Sequence, residues 1–165
     1  MRFELRHPMP RPADVAWKTF FHDDAYEAEL KKQNSEHTAE VLEEGPKGDK
    51  HYTKTRITSH RPLPSFMKRA IGADHLSYVL EQWRDEGRYE LRWKVTPPTA
   101  QDKIKAEGTY KLIATPSGCE RLVSGEIKVS IPLVGGKIEK AIGEELKSSY
   151  ERSAVFARDW LAAHT

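Results

Sequence analysis

Residues 88–95 alternate without a break: Tyr89, Leu91, Trp93 and Val95 are apolar, while Arg88, Glu90, Arg92 and Lys94 are charged. Successive side chains of a strand point to opposite faces, so this run predicts a strand with one dry and one wet face. The same period of two marks a strand at Phe3 and Leu5 that ends at Pro8 and Pro10. It marks a strand at 37–43, with Ala39 and Val41 alternating with Thr38 and Glu40, whose threonine-rich partner at 51–59 is reached through the turn Gly45-Pro46-Lys47-Gly48-Asp49. Further strands are predicted at 76–83, at 103–113 with Ile104, Ala106, Gly108, Tyr110 and Leu112 in register, and finally through Val123, Gly125, Ile127, Val129 and Ile131. Asp85-Glu86-Gly87 and Pro116-Ser117-Gly118 read as the turns between neighbours. Ala106, Gly108 and Gly125 fall on the dry faces of adjacent strands, where small residues mark a bend or the close approach of another element.

Elsewhere the period lengthens to that of a helix. Pro12-Ala13-Asp14 opens a short helix carrying Val15, Ala16, Trp17, Phe20 and Phe21, since proline is tolerated in a first turn. Asp23-Asp24 caps a second, with Tyr26, Ala28 and Leu30, that ends in the polar run 31–35. Residues 62–72 break the strand rhythm and predict a short helix or lid. After Gly135-Gly136, Ile138, Ile142, Leu146, Ser149, Ser153, Phe156 and Trp160 recur in steps of three and four, one stripe of a helix about 40 Å long. Strands joined by hairpins followed by one long amphipathic helix predict an α+β fold, with the helix buried on the dry face of an antiparallel sheet. No repeat or linker divides residues 1–165, which read as one domain.

Charge and composition narrow the function. Of 165 residues, 38% are apolar and 32% charged, and the 27 basic and 25 acidic residues nearly cancel, so no global field points to nucleic acid. One cysteine, Cys119, permits no internal disulfide, and the first residues lack the apolar run of a signal peptide, which suits a cytoplasmic protein. No window approaches the ~20 apolar residues of a membrane span. His51, His60 and His75 lack metal-ligand spacing, and no nucleophile elbow, phosphate loop or dinucleotide fingerprint occurs, so neither metal nor cofactor is expected. His7, His37 and Asp74 lie near strand ends and could offer a polar group to a cavity mouth, although a surface histidine is the simpler reading.

The segment 125–140, Gly-Glu-Ile-Lys-Val-Ser-Ile-Pro-Leu-Val-Gly-Gly-Lys-Ile-Glu-Lys, resembles the strand-to-helix junction of START-like (SRPBCC, Bet v 1-like) proteins. Leu63-Pro64-Ser65-Phe66-Met67-Lys68, followed by the strand bearing Trp83, is similar to an uncharacterised bacterial branch of that superfamily, a domain of unknown function. The resemblance implies a helix-grip fold, in which a curved antiparallel sheet wraps around the long C-terminal helix and two short helices follow strand one. It also implies a cavity between sheet and helix for a lipid, sterol or polyketide-like molecule.

In that geometry the inward residues Tyr89, Leu91, Trp93, Tyr110, Ile127 and Val129 would line the cavity from the sheet. Ile142, Leu146, Ser149 and Phe156 would line it from the helix, and Phe66 and Met67 from the lid. Ser149, Ser153, Gly108 and Gly125 are smaller than a full core favours, so the missing volume is either hollow or filled by Tyr110 or Trp93. Leu63, Phe66, Met67, Ala70 and Ile71 beside Lys68-Arg69 suit either a cavity lid, with transient contact of 63–71 on an anionic membrane surface, or a helix capping the sheet. The leading reading is a non-enzymatic carrier or sensor of a hydrophobic small molecule. The alternatives are a cyclase- or hydrolase-type enzyme, which needs at least two ionisable groups converging in the cavity, and a co-chaperone-like interaction module.

Overall fold

The alternating run that begins at Arg88 forms a strand, but it starts two residues late because Tyr89 sits at φ 55° in the turn before it. The computed structural model describes residues 1–99 and 101–164. Along the chain come β1 (Arg2–Met9), α1 (Ala13–His22), α2 (Asp24–Gln33), β2 (His37–Lys47), β3 (Lys50–Pro62) and α3 (Ser65–Ile71). After them come β4 (His75–Asp85), β5 (Glu90–Thr96), β6 (Ile104–Thr115), β7 (Gly118–Val129) and α4 (Gly135–Ala163). The strands make one antiparallel seven-stranded sheet in the order β1-β7-β6-β5-β4-β3-β2, a meander whose first strand pairs with its last.

Two turns differ from their sequence reading. Gly45 and Pro46 continue β2 as partners of Tyr52 and His51, and the hairpin closes on Gly48-Asp49 alone. Gly48 supplies the positive φ of 65° that two-residue hairpins need to match strand twist, and β2 is an edge strand, where a missing proline N–H costs no ladder bond. The last strand stops at Val129 rather than reaching Ile131; Pro132 follows, and Leu133 turns the chain at φ 72° with its side chain fully in solvent. Register slips between Val41 and Glu43 and between Thr58 and Pro62 add the local bends that curve the β2–β3 wing.

The core lies under one half of the sheet. Inward side chains of β1, β5, β6 and β7, such as Met9, Leu91, Ala106, Val123 and Ile127, pack against Ile138, Ala154, Ala157 and Leu161 of α4 and against Ala16 and Trp17 of α1. Trp17 meets Phe21 at 4.3 Å between ring centres and donates its indole N–H to Glu86 in the β4–β5 turn, which docks α1 on the sheet. Val15, expected on that apolar face, is exposed instead.

In the second half of α4 the buried positions are Ala154, Ala157 and Leu161, each one residue later than the predicted stripe. The helix has two neighbours, which explains the offset. Small alanines let it approach the sheet, while Phe156 and Trp160 turn toward α2 and pack against Tyr26 with ring centres 5.3 and 5.6 Å away, the Trp160 contact edge-to-face. Asp23 holds α2 in place by accepting hydrogen bonds from the Ala25 and Tyr26 N–H groups at 3.0 and 3.2 Å.

Candidate functional site

The row Trp93, Gly108, Gly125, Phe3 crosses four neighbouring strands on the inner face. A Cβ on Gly108 would stand 2.7 Å from the Trp93 ring, and one on Gly125 2.6 Å. The two glycines therefore make a floor for the indole, which also stacks on Phe3 at 6.1 Å. The volume these small residues release is filled by Trp93, so this part of the interior is solid.

The other half of the concave face differs. Register places Leu80 opposite Val95 and Tyr78 opposite Ile57, and Val95 lies two residues from Trp93, so Ile57, Tyr78 and Leu80 all point inward. Each is only half-buried, as are Ile142 and Leu146 on α4, and Val41 further out on the same wing is 61% exposed. Close packing would have covered them. The facing surfaces of the β2–β4 wing and of the first half of α4 therefore form a region that is only partly covered. Arg61 borders it by pairing with Glu36 and, at 3.5 Å, with Glu145 of α4.

Tyr78 and Tyr150 face into this interior. Burial pushes the Tyr78 hydroxyl up to about 12, the nearby Tyr150 phenol adding to the shift, and burial also raises Tyr150. Arg121 sits beneath Tyr150, on the inward register of β7 with Cys119 and Val123. Its guanidinium lies 5.1 Å from the Tyr150 ring centre. Its Nη2 donates to the Tyr150 carbonyl at 2.8 Å and to His7 Nδ1, across the β1–β7 ladder, at 3.3 Å. An arginine can only donate, so His7 Nδ1 carries no proton. Burial, then the charges of Arg121 and Arg158, hold the imidazole below its ordinary 6.5, with Glu151 opposing, so His7 is neutral at pH 7. Tyr110 is buried beside this group, and burial raises its hydroxyl far above the usual range despite the Arg121 charge.

The predicted lining residues divide accordingly. Leu91, Trp93, Tyr110, Ile127 and Val129 face inward and are buried among core side chains. Ile142 and Leu146 are only half-buried and lie in the partly covered region beside the β2–β4 wing. Tyr89 is in the turn before β5, its ring 6.1 Å from Trp17. Phe156 belongs to the α2 contact, and Ser149 is exposed, both consequences of the one-residue offset along α4. Met67 of α3 is buried with Ile71, and Phe66 is half-buried under Lys137 Nζ at 4.2 Å, so the apolar face of α3 turns into the molecule.

His7, read as a surface histidine, is 9% exposed. The residues missed were Arg121, Tyr78 and Tyr150. Stepping back by two from Val123 puts Arg121 on the dry face, a signal masked because a lone charge looks like the end of an apolar run.

Two depressions of about 530 and 600 Å³ lie among other residues, one at the β5–β6 end beside Lys94, Val95, Ile104 and Lys128 and one along β1, β7 and β6 beside Arg2, Glu107 and Glu126. Among the described residues no three His, Cys, Asp or Glu side chains come together as a metal-binding group, and no helix is long and apolar enough to cross a membrane.

A curved seven-stranded antiparallel sheet gripping a long C-terminal helix, with two short helices after β1, defines the START-like, or Bet v 1-like, class of α+β proteins. Solved structures with the same fold include Ara h 8.0201, 16% identical with a TM-score of 0.68 over 99% of both chains. The ZhuI aromatase/cyclase of Streptomyces sp. R1128 is 13% identical with a TM-score of 0.65, covering 98% of this chain and 95% of its own. Norcoclaurine synthase of Thalictrum flavum, solved with dopamine and hydroxybenzaldehyde, is 16% identical with a TM-score of 0.61, covering 100% of this chain and 87% of its own. Within that class the chain belongs to the family described as protein of unknown function DUF2505, whose model matches residues 4–161. No curated protein matches the sequence.

Proposed function

We propose that the chain acts as one ligand-binding domain that holds a hydrophobic small molecule between the β2–β4 wing and α4. The observation that carries this reading is the partial exposure of inward apolar residues: Ile57, Leu80, Ile142 and Leu146 form an apolar surface that the protein's own side chains do not completely cover. An apolar guest would remove that surface from water at roughly 25 cal/mol per Å². The fold supports it, since structures sharing this architecture include one solved with two aromatic small molecules. Of the residues expected from sequence, Ile142 and Leu146 are the ones retained as wall; Leu91, Trp93, Tyr110, Ile127 and Val129 supply the floor behind it. Contact of 63–71 with a membrane surface would require α3 to roll outward, because Met67 and Ile71 are buried.

The test is to fill the space. Leu146→Trp should leave folding intact and abolish the retention of host-derived apolar molecules seen by native mass spectrometry of the extracted protein. If the wild-type protein carries nothing and ignores a panel of lipids and aromatic ligands, the reading fails.

One observation favours a second reading, an enzyme of cyclase or hydrolase type. Ionisable groups do converge inside: His7, Tyr110, Arg121 and Tyr150. A neutral His7 with Nδ1 engaged leaves Nε2 as the proton-transfer site. His7→Gln should then preserve ligand retention while removing any chemical change in a bound ligand, followed by mass spectrometry.

A further inference from the structure

Arg121 is 4% exposed, and a guanidinium stays charged in proteins. Buried charges are ordinarily paired. This one is not: among the described residues no carboxylate lies within 4.0 Å of it, and the groups it meets, the Tyr150 carbonyl and His7 Nδ1 through Nη2 and the Tyr110 phenol beside it, are all neutral. Its Nε is buried with no partner at all. The neighbours add no negative charge. His7 is neutral, Arg158 contributes a second positive charge nearby, and Glu151, exposed on α4, acts on His7 without pairing with Arg121. The Tyr150 carbonyl and His7 fix the guanidinium in place but do not neutralise it.

We infer that Arg121 is an internal counter-ion, and that the apolar ligand carries one oxyanion, most simply a carboxylate, which seats against Nε beside the Tyr110 phenol. This inference rests on the reading that the space beside α4 takes an apolar guest, and it specifies the class of that guest. Burial keeps Tyr110 and Tyr150 protonated, so phenols within reach donate to an anion rather than repel it. A carboxylate would satisfy the bare Nε–H and the unpaired charge together, through a charge-assisted bond stronger than a neutral one. The apolar remainder would lie toward Tyr78 and Leu146, away from the solid floor under Trp93.

The experiment is titration of the full chain with matched pairs, decanoate against 1-decanol and 2-naphthoate against 2-naphthylmethanol, followed by tryptophan fluorescence and calorimetry. In the wild type each acid should bind at least about tenfold tighter than its alcohol. Arg121→Met should abolish that preference while leaving alcohol affinity within about twofold, and Arg121→Lys should keep part of it. Equal binding of acids and alcohols by the wild type would overturn the counter-ion and leave the apolar-guest reading standing. So would an Arg121→Met variant that retains the preference. Binding of neither acids nor alcohols would overturn both. The wild-type ratio decides the matter even if a variant fails to fold.

Discussion

Gly125 has an ordinary backbone conformation, so its role is the absence of a side chain rather than freedom of φ. Gly125→Ala would drive a methyl into Trp93 and the Glu107 carbonyl, both 2.6 Å away. Overpacking of this kind costs about 1–3 kcal/mol, to be read as a lower denaturation midpoint at unchanged slope. His7 makes a pH-dependent contribution. Its imidazole is held below 6.5 in the folded protein, so at a pH between the folded value and 6.5 the unfolded chain binds a proton that the native one does not. Stability should therefore fall as pH drops from about 6.5 toward the folded value, and His7→Gln should flatten that part of the curve, measured by denaturation midpoints across pH 4.5–7.5.

Among the elements, α2 and α4 show why a periodic stripe can be read correctly and still be placed one residue off. The pattern Ile138, Ile142, Leu146 identifies the buried side while α4 has one partner. Once α2 supplies a second, Phe156 and Trp160 serve that contact and Ala154 and Ala157 serve the sheet. Removing the Asp23 cap should loosen α2 from this arrangement. Asp23→Ala is expected to cost about 1 kcal/mol in thermal or chemical unfolding and to increase hydrogen exchange at the Ala25 and Tyr26 amides. Hairpin ends were harder to read than strand centres. Glycine and proline at 45 and 46 resemble a turn in isolation, yet an edge strand tolerates both.

The two sides of the molecule are buried to different degrees. β1, β5, β6 and β7 share a packed interior with α1 and α4, whereas β2 is exposed along nearly its whole length and its inward neighbours are half-covered. Backbone amides of β2 and β3 should accordingly exchange with solvent faster than those of β6 and β7 in the ligand-free protein. A bound apolar molecule should slow exchange in β3 and β4, a change that hydrogen-exchange mass spectrometry resolves.

Alternation and helical periodicity were enough to establish the strands, the closing helix and the α+β class, because burial of one face is encoded at fixed intervals along the chain. They also identified a row of residues too small for its place. What fills that row, and which inward residues stay only partly covered, was settled in three dimensions. Trp93 reaches Gly125 across two strand boundaries, and Arg121, His7 and Tyr150 meet from positions as much as 143 residues apart in the chain. Periodicity carries the direction of a side chain but not its distance from residues of other elements, and a cavity or a bare buried charge is defined by those distances alone.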